Sequence, residues 1–575
     1  MKATHKSKLN HPCTPASTYL LVTLLAAFNP LTAYAAGTVI PGAGTILQQI
    51  QPAEAPAPSS NDTGLRIEQS TGAAIPPGVA FRVDTIQITG NTLFTTAALH
   101  ALVADAEHKD LTLSQLADLA ARITDFYHSH GYPLARAIIP AQTINAGIVT
   151  VQIIEAHYGK VSIRNTSRVK DSLLQDTLTR MGGGVAPGQV IEQSAMDRSL
   201  LLLSDIPGVA VNATLKPGDT VGTSDMFVDA APTPSVTGSA ALDNYGNRYT
   251  GRTRAGGTVN LIDPLHYGDV LSLTGLTSGS GMNYGRGSYE SVINGEGTRL
   301  GGAVSALHYI LGGPLANLDG NGTAQVGSLW VRHPFVRSRD ANLYGQIEFD
   351  RLNLQDNLNN NGIQDTRHID NWTASAQGDS RDQLLSGGVN TWSLGATSGL
   401  LGFDNTNAQL ADAATVKTRG TFTKWNASLA RLQTVSENNG LYLSFTGQWA
   451  NTNLDPSQQM IAGGPYSVRA YDMAALSGDS GSLVTAEFRH QMRQYWNGQW
   501  QALAFVDSEH LTINSNPWAP GINGATLSGA GVGLNWAGSH QWTANAYIAK
   551  PIDTTPVLVG VTKSVQGWIQ INKGF

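Results

Sequence analysis

Few side chains in this 575-residue chain are spaced for chemistry. Gly478-Asp479-Ser480-Gly481 has the residue types of a serine-protease nucleophile. Such a serine also needs a histidine base and a buried aspartate, held by an unrelated double barrel. No histidine here stands in that context, and the run reads as a turn opening a strand. Asn357, Asn359 and Asn361 before Gly362 echo a calcium loop, but its twelfth position is His368 rather than glutamate. The bidentate ligand is therefore missing, and a polar surface loop is expected. The 14 histidines include no His-x-x-x-His pair, so zinc is not indicated. No Gly-rich run ends in Lys-Ser or Lys-Thr, so no phosphate loop is indicated either. No catalytic, cofactor-binding or metal-binding residue is expected.

The N-terminus has the pattern of an export signal. Lys2, Lys6 and Lys8 precede an apolar stretch from Tyr19 to Phe28, and Ala33-Tyr34-Ala35 offers a small-x-small cleavage site. That order reads as a signal peptide over residues 1–35. Cys13, the one cysteine, lies before the apolar stretch rather than at the cleavage site. The mature chain then has no cysteine, which excludes disulfides, thiolate zinc sites and a cysteine nucleophile. Losing the three leader lysines takes the formal net charge from −6 to −9, which argues against a nucleic-acid partner. No later segment has 18 consecutive apolar residues, so no transmembrane helix is expected. Charged residues make up 14% of the chain, and the mean hydropathy is −0.12. A membrane barrel, whose strands alternate lipid-facing and lumen-facing residues, has such near-neutral hydropathy.

Residues 36–78 begin with a short helix carrying Ile46, Leu47 and Ile50, with Thr45 as its expected cap. The Pro-, Ala-, Ser- and Gly-rich stretch 52–77 reads as a mobile linker. A compact α/β pattern follows. Phe81, Val83 and Thr85 alternate with Arg82 and Asp84, although Ile86 falls out of step. Helical spacing covers 95–104 and 113–130, with Leu116, Leu119 and Ile123 on one face of the second helix. Strands are expected near 135–140 and 147–155. The order strand, helix, helix, strand, strand then recurs, with strands at 161–165, 209–215 and 226–230 and helices at 171–181 and 193–204. Two consecutive units of one order are read as a repeated module, with one larger α+β domain as the alternative.

From about residue 233 to 575 helical periods disappear and short alternating runs recur. Leu441, Leu443, Phe445 and Trp449 oppose Tyr442, Ser444, Thr446 and Gln448, and Val484 and Phe488 oppose Thr485 and Glu487. A soluble sandwich also alternates, so this pattern alone does not separate it from a barrel. At ~20 residues per strand and connection the region holds about 16 strands, an even number as bacterial barrels require. The chain ends in an alternating strand, Trp568 to Phe575, closed by an aromatic residue.

Several motifs bring in a family. Ser199-Leu200-Leu201-Leu202-Leu203-Ser204-Asp205-Ile206-Pro207-Gly208 is a leucine run closing on Pro-Gly. Asp243-Asn244-Tyr245-Gly246-Asn247 has the form of a first barrel strand, and Asp263-Pro264-Leu265 with Gly268-Asp269 that of the next hairpin. Val468-Arg469-Ala470-Tyr471 stands in a long loop, and Phe505-Val506-Asp507-Ser508-Glu509 in a later strand. Together these resemble the two-partner secretion transporters, the TpsB or haemolysin activation/secretion family. The resemblance covers nearly the whole mature chain. It implies a plug-like helix and linker (36–78), two periplasmic POTRA domains (79–157 and 158–232) and a transmembrane barrel (233–575).

The family's loop motif is Val-Arg-Gly followed by Tyr or Phe, and its inner-wall motif is Phe-x-Asp-x-Gly. The resemblance therefore implies that Arg469 folds back into the pore and pairs with Asp507, beside Phe505. Ala470 and Glu509 each replace a family glycine, and Ala470 tolerates positive φ poorly. Phe575 matches the terminal aromatic that marks barrels for the assembly machinery. The implied function is export of an unfolded exoprotein, an adhesin or haemolysin, through an outer-membrane barrel with its N-terminal domains in the periplasm. Outer-membrane lipids are the other implied partner. A barrel-assembly factor, which usually carries more POTRA modules, and a passive porin, which has none, are the alternatives.

Overall fold

The computed structural model describes residues 40–50, 57–68, 79–179, 184–560 and 562–575. The expected signal peptide lies outside them. From Val236 onward the chain builds sixteen antiparallel strands, and the last, Gln566–Gly574, pairs with the first, Val236–Asp243. Closure leaves no unpaired edge, the condition under which a sheet can sit in hydrocarbon. Side-chain parity follows the sequence alternation. On Ser480–Gln491, Val484 is 51% and Phe488 49% exposed on the outer wall, whereas Thr485 and Glu487 are buried in the lumen. At the C-terminus Ile569 and Ile571 face outward and Trp568 inward. Phe575 exchanges backbone hydrogen bonds with Gly238 at 3.0 and 2.9 Å.

The N-terminal half holds two α/β units. In the first, Thr85–Thr89 pairs in parallel with Ile148–Ile154, which also pairs antiparallel with Arg136–Ile138. The helix Leu113–Ser129 buries Leu116, Leu119 and Ile123 against this sheet and starts at a capping box of Thr112 and Gln115. The out-of-step Ile86 has a simple cause: the strand breaks at Asp84. Phe81–Val83 pairs with Lys109–Leu111, a strand the sequence pattern did not reveal, and a new strand then turns Ile86 and Ile88 inward. The helix expected over 95–104 shortens to Thr96–His100, capped by Thr95, with a 3-10 turn at Ala104–Ala106. In the second unit the strands His157–Asn165, Val209–Pro217 and Thr223–Pro232 pack on the helices Asp171–Thr179 and Gln193–Ser204.

The described part of the expected linker, 57–68, departs from expectation; the rest lies outside the described residues. Leu65–Ile67 is a strand lying parallel to Val209–Pro217 of the second unit, with Leu65, Arg66 and Ile67 opposite Ala213, Thr214 and Leu215. Ala213 N–H donates to Gly64 O at 3.0 Å, and Glu68 N–H to Leu215 O at 2.9 Å. A polar, Gly-flanked stretch orders here because a sheet edge supplies partners for its backbone groups. The second unit also docks on the barrel rim. Asp205, from the leucine run, takes a two-pronged contact from the fully buried Arg337 side chain at 2.6 and 2.9 Å. The Asp263–Asp269 hairpin closes on itself through Gly268 N–H to Asp263 Oδ1 at 2.9 Å and meets Gly208.

Candidate functional site

Two segments enter the barrel lumen. The first is the helix Ala43–Ile50. Ile46 is buried in a cluster with Tyr309, Leu352 and Leu354 of the wall, and Leu47 and Ile50 pack against the same cluster. Thr45 lies inside the helix and does not cap it, contrary to the sequence reading. One free amide at the helix start is met from outside: Ala43 N–H donates to Asp356 Oδ1 at 2.7 Å. A carboxylate suits that position because it accepts the orphan amide and opposes the helix dipole. Asp356 also accepts from Tyr309 Oη at 2.6 Å and from Arg367 at 2.9 Å, and Arg367 in turn binds Asp455.

The second segment is loop 451–479, between the strands Asn439–Ala450 and Ser480–Gln491. Its two legs pair at Met460–Ala462 and Leu476–Gly478, so the tip projects as a stiff hairpin. The helix packs on the base of this loop. A Cβ on Gly44 would stand 2.6 Å from the Ser457 backbone nitrogen, so a residue without a side chain is needed there.

At the tip, Val468, Arg469, Ala470 and Tyr471 are all buried. Arg469 Nε and Nη2 donate to the two oxygens of Asp507 at 2.9 and 2.8 Å, and its backbone N–H reaches Asp507 at 3.2 Å. The guanidinium lies 3.4 Å from the Phe505 ring centroid, so Phe505 contributes a π face to the same cation. Ala470 does not adopt positive φ, so the strain expected of an alanine at this tip does not arise.

Other partners were not evident from the motifs. Glu487 accepts from Arg469 Nη1 at 2.7 Å and from Arg489 at 2.6 Å. It lies directly opposite Phe505 in the sheet, so its lumen-facing parity was the available signal. Trp568 Nε1 donates to Arg469 O at 2.7 Å, and Asp472 joins Arg252 and Gln566 at 2.7 and 2.9 Å. The tip thus also touches the first and last parts of the barrel, which no local pattern records. Asp479 of the protease-like run is fully buried and accepts from Leu454 N–H, Gln459 Nε2 and Ser515 N–H, so it ties the loop base together. Asn359–Asn361 form a hairpin tip ending in left-handed Gly362.

The model of the haemolysin secretion/activation proteins ShlB/FhaC/HecB matches residues 222–536, and a ShlB-type POTRA model matches residues 81–156. The chain belongs to the ShlB/FhaC/HecB family. It is an outer-membrane transporter with N-terminal POTRA architecture and a secreted protein as partner. The heme/hemopexin transporter protein HuxB of Haemophilus influenzae is 27% identical over 472 residues, covering 81% of this chain and 82% of HuxB. The outer membrane transporter CdiB of Escherichia coli is 24% identical over 484 residues, covering 80% and 78%. The solved structure of CdiB from Escherichia coli superposes with a TM-score of 0.68 at 21% identity, covering 88% of this chain and 92% of that one. That likeness shows the fold. Members of this family are transporters rather than known enzymes.

Proposed function

We propose that the helix Ala43–Ile50 and the loop bearing Arg469 keep the resting pore shut, and that an unfolded exoprotein opens it from the periplasm. The observation that supports this reading is that both segments lie in the lumen and are held to its wall by side-chain contacts rather than by pairing with the barrel strands. The helix rests on the Asp356 carboxylate, an apolar patch and a bond from the Gln48 amide to the Ser457 carbonyl, and the loop tip on an ion-pair cluster at Asp507 and Glu487 flanked by bonds at Asp472 and Trp568. The POTRA units over 79–157 and 158–232 capture the cargo as an added strand, using main-chain hydrogen bonds. The linker strand Leu65–Ile67 already occupies one such edge. Cargo that takes this edge frees the linker, and the helix is tethered to the linker.

The cargo is read as a large β-helical exoprotein of adhesin or haemolysin type, and because HuxB is named a heme/hemopexin transporter, an exoprotein that engages heme or hemopexin is a further class. Folding outside the cell supplies the drive, with no catalytic step or cofactor in the chain. Phe575 acts as the signal to the assembly machinery during biogenesis. The test is secretion of a co-encoded exoprotein by cells carrying the full-length transporter or a variant lacking residues 79–157. Loss of secretion with the barrel still inserted supports capture by the first unit, and undiminished secretion rejects it.

A further inference from the structure

The two positions where the tip and wall motifs depart from their family pattern, Ala470 and Glu509, each face a complementary residue. Glu509 is fully buried on the same inner face as Asp507, two residues further along the strand Gly498–Thr512. It does not contact Arg469, whose acids are Asp507 and Glu487. Its Oε2 instead accepts the hydroxyl of Ser467, two residues before Arg469. That hydroxyl also accepts Gly463 N–H at 3.0 Å, across the turn that leads into the tip. The matched spacing sets Ser467 on Glu509 and Arg469 on Asp507, so the tip runs alongside the wall strand with two points of contact about 7 Å apart.

A third point lies beside them. Gly529 is the cross-strand neighbour of Asp507, and a Cβ built on it would stand 2.4 Å from the Ala470 methyl. The methyl that the loop gained therefore occupies the space of a side chain the wall lacks.

We propose that Glu509 is a positioning residue for the loop tip, a second latch that works through Ser467 and is independent of the Arg469 ion pair. The ion pair fixes Arg469 on the wall strand, and the Ser467 contact two residues earlier fixes the register of the tip against that strand. Arg469 is then delivered to Asp507 and Glu487 already aligned. Because the family pattern has glycine at this position, Glu509→Gly is a substitution the barrel is expected to accept.

The proposal rests on the reading of this loop as a pore obstruction only for its functional consequence, so the loop itself is measured first. Hydrogen–deuterium exchange of the amides over 463–471 is followed in the full-length protein in detergent. Glu509→Gly and Ser467→Ala are each expected to speed exchange about fivefold to tenfold, the loss of one buried hydrogen bond. The Glu509→Gly/Ser467→Ala double variant is expected to match either single one, and Glu509→Gln, which keeps an acceptor for Ser467, to stay near the parent. Unchanged exchange in Glu509→Gly, or equal acceleration by Glu509→Gln, overturns the latch. Channel conductance of the same variants then addresses the obstruction separately. Fast exchange with unaltered conductance in the Arg469→Ala/Glu509→Gly double variant, where both contacts are gone, rejects the obstruction and leaves the latch standing.

Discussion

Arg469 reaches Asp507 through three donors of one residue, its backbone amide, Nε and Nη2, at 3.2, 2.9 and 2.8 Å. The carboxylate is fully buried and also accepts Thr485 Oγ1 at 3.1 Å. Such a pair is costly to split, because the survivor keeps a buried charge without its counterion. Arg469→Ala and Asp507→Ala are each expected to weaken docking of the tip by roughly 3–5 kcal/mol and to lower secretion, with the barrel still inserted. The double variant is expected to be little worse than either single one, since both remove one interaction. Exoprotein in culture supernatants is the readout. Additive losses would show that the two residues act separately.

The helix in the lumen is held by its start and by close approach. Deleting residues 37–60 is expected to raise conductance in planar bilayers. Gly44→Val is expected to shift it in the same direction, because its Cβ would meet the Ser457 backbone at 2.6 Å. Equal conductance for parent and deletion would remove the helix from the list of obstructions.

If linker and cargo compete for one sheet edge, weakening the linker strand strengthens cargo binding. Glu68→Pro removes the amide that donates to Leu215 O at 2.9 Å. Titration calorimetry of the full-length protein with the N-terminal part of the exoprotein is expected to give micromolar affinity, about −8 kcal/mol. The variant is expected to bind severalfold tighter. Weaker binding would place the cargo elsewhere.

Glu155 ties Thr92, Leu93 and Tyr127 to the end of the strand Ile148–Ile154 in the first POTRA unit, and this unit is expected to be acid-sensitive. Burial pushes its carboxyl up, but donors from Thr92, Leu93 and Tyr127 outweigh this and hold it below the usual glutamate value. Its contribution to stability is therefore complete above the unfolded value of about 4.3 and is lost as pH falls through the lower folded value. Glu155→Ala leaves those donors unpaired and is expected to cost about 3 kcal/mol at neutral pH. Exchange protection of the 148–154 amides across pH reports both effects. An unchanged acid profile in the variant would assign the sensitivity to other groups.

Much of this architecture is written locally. Period-two runs such as 484–488 state which side chains face lipid, because a strand's faces alternate whatever its neighbours are. The helix face of 113–129 is legible for the same reason at helical period, whereas 193–204 buries Leu200 to Leu203 in succession and shows no such period. The pair Arg469 and Asp507 was legible only through the family motifs, since 38 residues separate them and no period links them.

What no local pattern contains is which surfaces meet once the barrel has closed. Glu487 joins Arg469 because two wall strands lie side by side, and Asp356 caps a helix 313 residues before it because that helix sits in the lumen. Leu65–Ile67 has a linker's composition and becomes a strand only because a folded sheet offers it an edge. Ser467 and Glu509 meet because a loop folds back on the inner wall. Periodicity reports the faces a segment presents to its surroundings. The partner on the other side is set by closure of the chain, where buried polar groups must find whatever donors and acceptors the folded lumen brings within reach.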